Sequence, residues 1–220
     1  MSLRLLIGES ETLLAELLGA HLQEIFPGAQ VICVRTVQEL AEVSAEHFDL
    51  AIVDLLLADG NALAWLQARV TTHSPGRIIV LTACDKEVLL HSLLKTGAAG
   101  IIHKVDGLAF LEMALKTVSA GGSVFSPKIQ EIRNRLHADP NFFAKILSPR
   151  EQAILAGIGD GLDTHAIARK LGIKDVTVSD HRKNVMAKLG LHSAAELVAY
   201  TLAKGFGSHG RWQRRRESGT

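Results

Sequence analysis

The chain is short of several things that would narrow its chemistry at once. It has two cysteines, Cys33 and Cys84, in 220 residues, which is too few for a disulfide framework and the wrong spacing for a metal site. A cytoplasmic setting with reduced thiols is therefore expected. Aromatic residues make up 5% of the chain, and no Gly-rich phosphate loop follows the first apolar run. Both absences speak against a flavodoxin-like enzyme or cofactor binder. No apolar run reaches membrane-spanning length, and MSLRLLIGES lacks the basic start and cleavage site of a signal peptide, so no membrane partner is expected. Net charge is also scarce, at +1.

That near-neutrality conceals two oppositely charged halves. Residues 1–125 carry 8 Lys and Arg against 14 Asp and Glu, a balance of −6, whereas residues 126–220 carry 16 against 9, or +7. An acidic front and a basic back suggest two jobs, the second aided by attraction to phosphate.

The front half alternates between two kinds of stretch. LRLLIG, QVICV, LAIVDL, RIIVLT and GIIHK are short apolar runs of the kind buried in a parallel sheet. Between and after them Leu13, Leu14, Leu17, Leu18, Leu22 and Ile25, then TVQEL, ALAWLQARV, KEVLLHSLLKTG and LAFLEMALKTVSAGG carry apolar residues at helical spacing. Thr36 and Glu39 form a capping box for the second helix. Five β–α units imply an α/β fold with a parallel sheet and helices on both faces. Ligands of such a sheet sit beyond the carboxyl ends of its strands, where Asp54, Thr82 and Lys104 stand. Trp65 reads as packing on the third helix. His103 reads as a tolerated strand-end histidine, and nothing near Cys84 is placed to activate its thiol. Val88, Leu89, Leu90, Leu93 and Leu94 load the fourth helix beyond one stripe, which fits either a well-buried helix or a dimer surface.

Residues 121–146 read as a linker in which KIQEIRNRL forms a short helix before Asp139-Pro140. Residues 147–206 are punctuated as four helices. Ser148 caps the first, with Pro149 next and Glu151 completing a capping box; Asp163 caps a second that stops at Gly172. The third spans about 175–189 and stops at Gly190, and Ser193 caps a fourth that stops at Gly205. A short helix, a tight Gly-containing turn and a longer helix make a helix-turn-helix. On the third helix Val178, Val185 and Leu189 share one face. Val176, Ser179, Asp180, Lys183 and Ala187 project from the other, a small, polar and basic surface suited to a major groove. Residues 207–220, with four Arg, read as a disordered tail whose Arg214, Arg215 and Arg216 can add phosphate contacts.

LSPRE, GL, IA, KLGI, TV, H, N, KLG and AEL occur in the order found in LuxR-type helix-turn-helix domains, and residues 147–206 closely resemble that family. FDLAIVDLLLADGNAL around Asp54, IIVLTA with Thr82 and GAAGIIHK with Lys104 resemble the receiver domain of bacterial response regulators over residues 1–120. Together the halves resemble the NarL/FixJ class. The resemblance implies a flavodoxin-like five-stranded receiver followed by an all-α DNA-binding domain, and a transcriptional regulator that is not an enzyme. It further implies a homodimer on double-stranded DNA, with a sensor histidine kinase as a further partner.

It also implies roles for residues. Asp54 would be the phosphoacceptor, with Thr82 and Lys104 stabilising the phosphoryl group, and Glu9, Asp54 and the Leu56 carbonyl would hold Mg²⁺. Ser179 and Lys183 would reach bases, Val176 a thymine methyl and Asp180 a cytosine amine, with Thr177 also among the contacts; Lys174, Arg182 and Lys188 would reach phosphates. The chain departs from the pattern in places. Ser10 stands where the family has a second acid and Ile101 at the aromatic switch position. Ala58 replaces a frequent Pro, Ala166 a usual Glu, and Lys174 the usual Ser cap of the third helix. Weak Mg²⁺ binding is the consequence. Two modes of control follow, by phosphorylation at Asp54 or by a receiver that acts only as a dimerisation or protein-interaction platform.

Overall fold

A computed structural model of the chain describes residues 2–43, 46–71 and 77–207. The chain divides after Asp139 into two compact units.

In the first unit the apolar runs become β1 (Arg4–Gly8), β2 (Gln30–Val34), β3 (Leu50–Asp54), β6 (Arg77–Thr82) and β7 (Gly100–His103). A two-residue antiparallel hairpin, β4 (Leu56–Leu57) and β5 (Gly60–Asn61), follows β3. The long strands are all parallel, in the order β2-β1-β3-β6-β7, and β8 (Val124–Phe125) adds a sixth at the β7 edge. The sheet therefore has one strand more than the five expected. β8 is two residues long and lacks the apolar run by which the others announce themselves, so periodicity had nothing to register.

The helices are α1 (Thr12–Ile25), α2 (Val37–Glu42), α3 (Leu63–Thr71), α4 (Glu87–Leu94), α5 (Gly107–Ser119) and α6 (Pro127–Ala138). Thr36 caps α2 by accepting from the Glu39 N–H. α1 and α5 bury Leu18, Leu22, Leu111 and Leu115 against Leu5, Ile7, Ile52 and Ile79. The central strands thus lose water from their faces, which is why they read as unbroken hydrophobic runs. Leu89, Leu90 and Leu93 of α4 are buried, whereas Val88 and Leu94 are half-buried, so the core accounts for part of its apolar surplus. Trp65 is buried too.

The stretch expected as a linker over 121–146 is instead structured. Ile129, Ile132 and Leu136 of α6 are buried, Ser126 Oγ accepts the His103 N–H at 3.0 Å, and Asp106 Oδ2 accepts the Lys128 N–H at 3.3 Å. β8 and α6 belong to the first unit, and the break falls at Asp139-Pro140.

The second unit holds α7 (Phe143–Ile146), α8 (Pro149–Gly159), α9 (Thr164–Leu171), α10 (Asp175–Leu189) and α11 (Ala194–Lys204). The expected punctuation is all present. Ser148 and Glu151 form a capping box, Asp163 accepts from the Ala166 N–H and Ser193 from the Glu196 N–H. Gly172 and Gly190 end α9 and α10 with φ of 66° and 65°, a left-handed conformation that costs other residues energy. α7 precedes the four expected helices; Phe143 packs on Phe206 with ring centroids 5.1 Å apart. The basic tail lies outside the described residues from position 208 onward.

Candidate functional site

Parallel strands that end together deliver four polar side chains to one end of the sheet. Asp54 closes β3, Thr82 closes β6, Glu9 follows β1 and Lys104 follows β7. Glu9 is 1% exposed, Asp54 8% and Thr82 0%. Two carboxylates at such depth require a counter-charge, and Lys104 supplies it. Its Nζ donates to Asp54 Oδ2 at 2.7 Å and to Glu9 Oε2 at 2.8 Å. The remaining oxygen of each acid is also taken: Asp54 Oδ1 accepts the Leu56 N–H at 3.1 Å, and Glu9 Oε1 the Glu11 N–H at 3.0 Å. Burial pushes the Asp54 carboxyl above its ordinary pKa, and Lys104 offsets only part of that. Burial works against the charge of Lys104, yet Asp54 and then Glu9 outweigh it and raise its pKa.

The hydroxyl of Thr82 accepts the Cys84 N–H at 3.0 Å, so it shapes the loop after β6. Burial pushes the Cys84 thiol up, which opposes thiolate reactivity. His103 is buried, its Nδ1 accepting the Val105 N–H at 3.3 Å, in keeping with a packed strand-end histidine.

Mg²⁺ is usually held by one or two carboxylates and keeps several waters; at this end the two carboxylates, Glu9 and Asp54, are already bonded within the protein. Ser10 brings no charge. Among the described residues no group of three or more His, Cys, Asp or Glu is arranged to hold a metal ion. Arg35, which the sequence reading passed over, adds a second cation nearby: its guanidinium donates to the Ser10 carbonyl at 3.1 Å and to the Thr12 hydroxyl. Its place just beyond the end of β2 was the signal that could have flagged it.

In the second unit, α9, the turn at 172–174 and α10 form the helix-turn-helix. Val178 and Val185 are fully buried, which fixes the opposite face outward: Val176 is 62% exposed, and Asp180 and Lys183 are exposed, 4.0 Å apart. Ser179 is half-buried and its hydroxyl donates to the Asp175 carbonyl at 3.1 Å, while Thr177 is also half-buried. Lys174 precedes the helix, exposed, with no side-chain cap. Arg182 braces α10 against α9 through Thr164 Oγ1 at 3.1 Å.

Lys188, expected at phosphates, has a side chain that is 44% exposed. Its Nζ donates to the buried carboxylate of Glu151 at 2.8 Å, tying the end of α10 to the start of α8. The two residues are 37 positions apart, and no local pattern links them.

Residues 145–201 match the family described as bacterial regulatory proteins, luxR family. The oxygen regulatory protein NreC of Staphylococcus haemolyticus is 34% identical over 165 residues, covering 71% of this chain and 76% of that protein. NreC of Staphylococcus carnosus is 33% identical over 177 residues, covering 76% and 82%. The chain is a NarL/FixJ-type response regulator.

As such it is a DNA-binding transcriptional regulator and not an enzyme. The fold agrees. A DNA complex of the response regulator RcsB has a TM-score of 0.59 at 21% identity, covering 91% of this chain and 98% of that one. RcsB of Salmonella enterica serovar Typhimurium, bound to a promoter in the presence of a phosphomimetic, reaches 0.61 at 21%, covering 93% and 100%. In the response regulator, no helix among the described residues is long and apolar enough to cross a membrane.

Proposed function

We propose that this regulator binds double-stranded DNA as a homodimer, with α10 in the major groove, and that its receiver governs pairing of the DNA-binding units through protein contacts. The observation that carries the DNA reading is the outward face of α10, where Val176, Asp180 and Lys183 stand clear of the core that holds Val178 and Val185. Lys183 and Ser179 then read base edges, Val176 meets a thymine methyl, Asp180 accepts from a cytosine amine, and Thr177 lies alongside them. Lys174 and Arg182 are left for phosphates. Half-sites lie about 10 base pairs apart, or a multiple of that. The setting is cytoplasmic.

A second reading, phosphorylation of Asp54 by a sensor histidine kinase, is favoured by the convergence of Asp54, Thr82 and Lys104 at one end of the sheet. Against it stand Ser10 and the four carboxylate oxygens already engaged within the protein, which leave the set poorly suited to the Mg²⁺ that phosphoryl transfer to a carboxylate requires.

Selection of the full-length protein against a random duplex library tests the first reading. A two-fold symmetric motif that disappears on deleting residues 147–206 is expected; binding that survives the deletion refutes it. Incubation with acetyl phosphate and Mg²⁺, followed by intact mass, decides between the modes of control. An unmodified wild type, and unchanged DNA affinity in Asp54→Asn, are expected for the platform. Complete modification that Asp54→Asn abolishes would establish the phosphoswitch.

A further inference from the structure

The arrangement of Glu9, Asp54 and Lys104 carries a consequence beyond the control of DNA binding. We propose that Lys104 is the resident counter-ion of the receiver, standing in for a divalent metal: the folded domain carries its own cation and does not take up Mg²⁺. This deepens the platform reading of the receiver and is tested separately from it.

The argument starts from charge. Glu9 and Asp54 are both buried, and each presents one oxygen to the same ammonium, at 2.8 and 2.7 Å. A bridging position between two carboxylates is where a shared cation sits. Here it is filled by a side chain tethered to β7, whose local concentration no free ion can match. The other two oxygens are held by backbone N–H groups of Glu11 and Leu56. A cation entering the pair must therefore compete with the ammonium, share oxygens with the N–H groups and shed part of its own water.

Two further features push the same way. Ser10 withholds the extra carboxylate that would repay a second positive charge. Arg35, bonded to the Ser10 carbonyl, adds repulsion on the side where that acid would lie. Two carboxylates against one ammonium leave one negative charge, and the Arg35 guanidinium beside Ser10 offsets it, so the chain's own cations neutralise this end of the sheet.

If so, removing the ammonium should unmask a demand for metal. Lys104→Met leaves two buried carboxylates facing each other with no counter-ion between them. Thermal unfolding of the full-length protein, with and without 10 millimolar-range Mg²⁺ or Ca²⁺, reads this directly. Wild-type melting should be indifferent to either ion. Lys104→Met should melt about 5–10 °C lower, and the ions should recover at least half of the loss. Glu9→Gln in the Lys104→Met background should recover part of it with no metal, because only one buried carboxylate is then left without a partner.

A wild type that is stabilised by Mg²⁺ overturns the proposal, as does a Lys104→Met protein that melts like wild type. If Lys104→Met does not fold at all, the double variant decides: a folded double variant supports the counter-ion role and an unfolded one refutes it. DNA affinity and intact mass, measured on the same samples, report on the platform reading. Full acetyl-phosphate modification of the wild type would sink both that reading and the counter-ion, because that transfer requires Mg²⁺ at the site. A melting result as expected alongside a changed DNA affinity in Asp54→Asn would sink the platform reading alone and leave the counter-ion in place.

Discussion

Glu151→Ala removes a carboxylate that is 4% exposed and holds three donors: the Ser148 N–H at 2.8 Å, the Ser148 hydroxyl at 2.9 Å and the Lys188 ammonium at 2.8 Å. Losing a capping interaction costs about 1 kcal/mol. The charge-assisted bond to Lys188 adds about 1–2 kcal/mol, its value trimmed because the Lys188 side chain is 44% exposed. The whole loss is about 2–3 kcal/mol, a large share of the about 5–15 kcal/mol that holds a domain together. In a small helical unit it lowers the melting temperature by about 8–20 °C.

Glu151→Gln isolates the charge and adds a pH test. Burial alone would raise the Glu151 pKa, but the Lys188 ammonium and the two Ser148 donors outweigh it and hold the carboxyl below its ordinary 4.5. A depressed folded-state pKa contributes stability in full above the unfolded value and loses it as pH falls through the folded one. The gap between wild type and Glu151→Gln, followed by circular dichroism in urea, should therefore be open at pH 7 and close in acid below about pH 4. A gap under about 0.5 kcal/mol at pH 7, or one that is unchanged in acid, would refute the reasoning.

Lys183→Ala should change sequence preference, at about 1–3 kcal/mol for a lost base contact, as read by competition between specific and random duplexes. Lys188→Ala should instead lower thermal stability by about 1–2 kcal/mol and weaken DNA binding only as far as α10 loosens; melting scans and binding isotherms separate the two. Gly159→Ala drives a methyl group into the Phe206 carbonyl oxygen, so the backbone at Phe206 and Gly207 must shift. A loss of about 1–3 kcal/mol is expected despite the better helix propensity of alanine, measured by urea denaturation. Ser10→Asp adds the missing acid and should raise Mg²⁺-dependent stabilisation and acetyl-phosphate reactivity above those of wild type, read by thermal shift and intact mass.

Some of this protein was determined by sequence alone, because the relevant physics is local. The capping residues Ser148, Asp163 and Ser193 and the left-handed glycines Gly172 and Gly190 mark helix ends through bonds made within a few residues, so the boundaries of α8–α11 can be read directly. The buried parallel strands show as unbroken apolar runs because water is excluded from both faces. Their common direction then places Asp54, Thr82 and Lys104 at one end, which alternation of strands and helices already implies. What lay outside its reach depends on contacts distant in the chain. β8 exists only because β7 offers it an edge, and α6 docks through Ile129, Ile132 and Leu136 on a surface that no single segment encodes. Which leucines of α4 are core was decided by what packs over Leu89, Leu90 and Leu93. Lys188 carries the same charge as Lys183 on the same helix, yet one is held by Glu151 and the other stands in solvent, because a helix turns its residues toward different neighbours. Glu9 and Asp54 meet a single ammonium 95 and 50 residues away: composition supplies the charges, and tertiary structure decides which of them cancel.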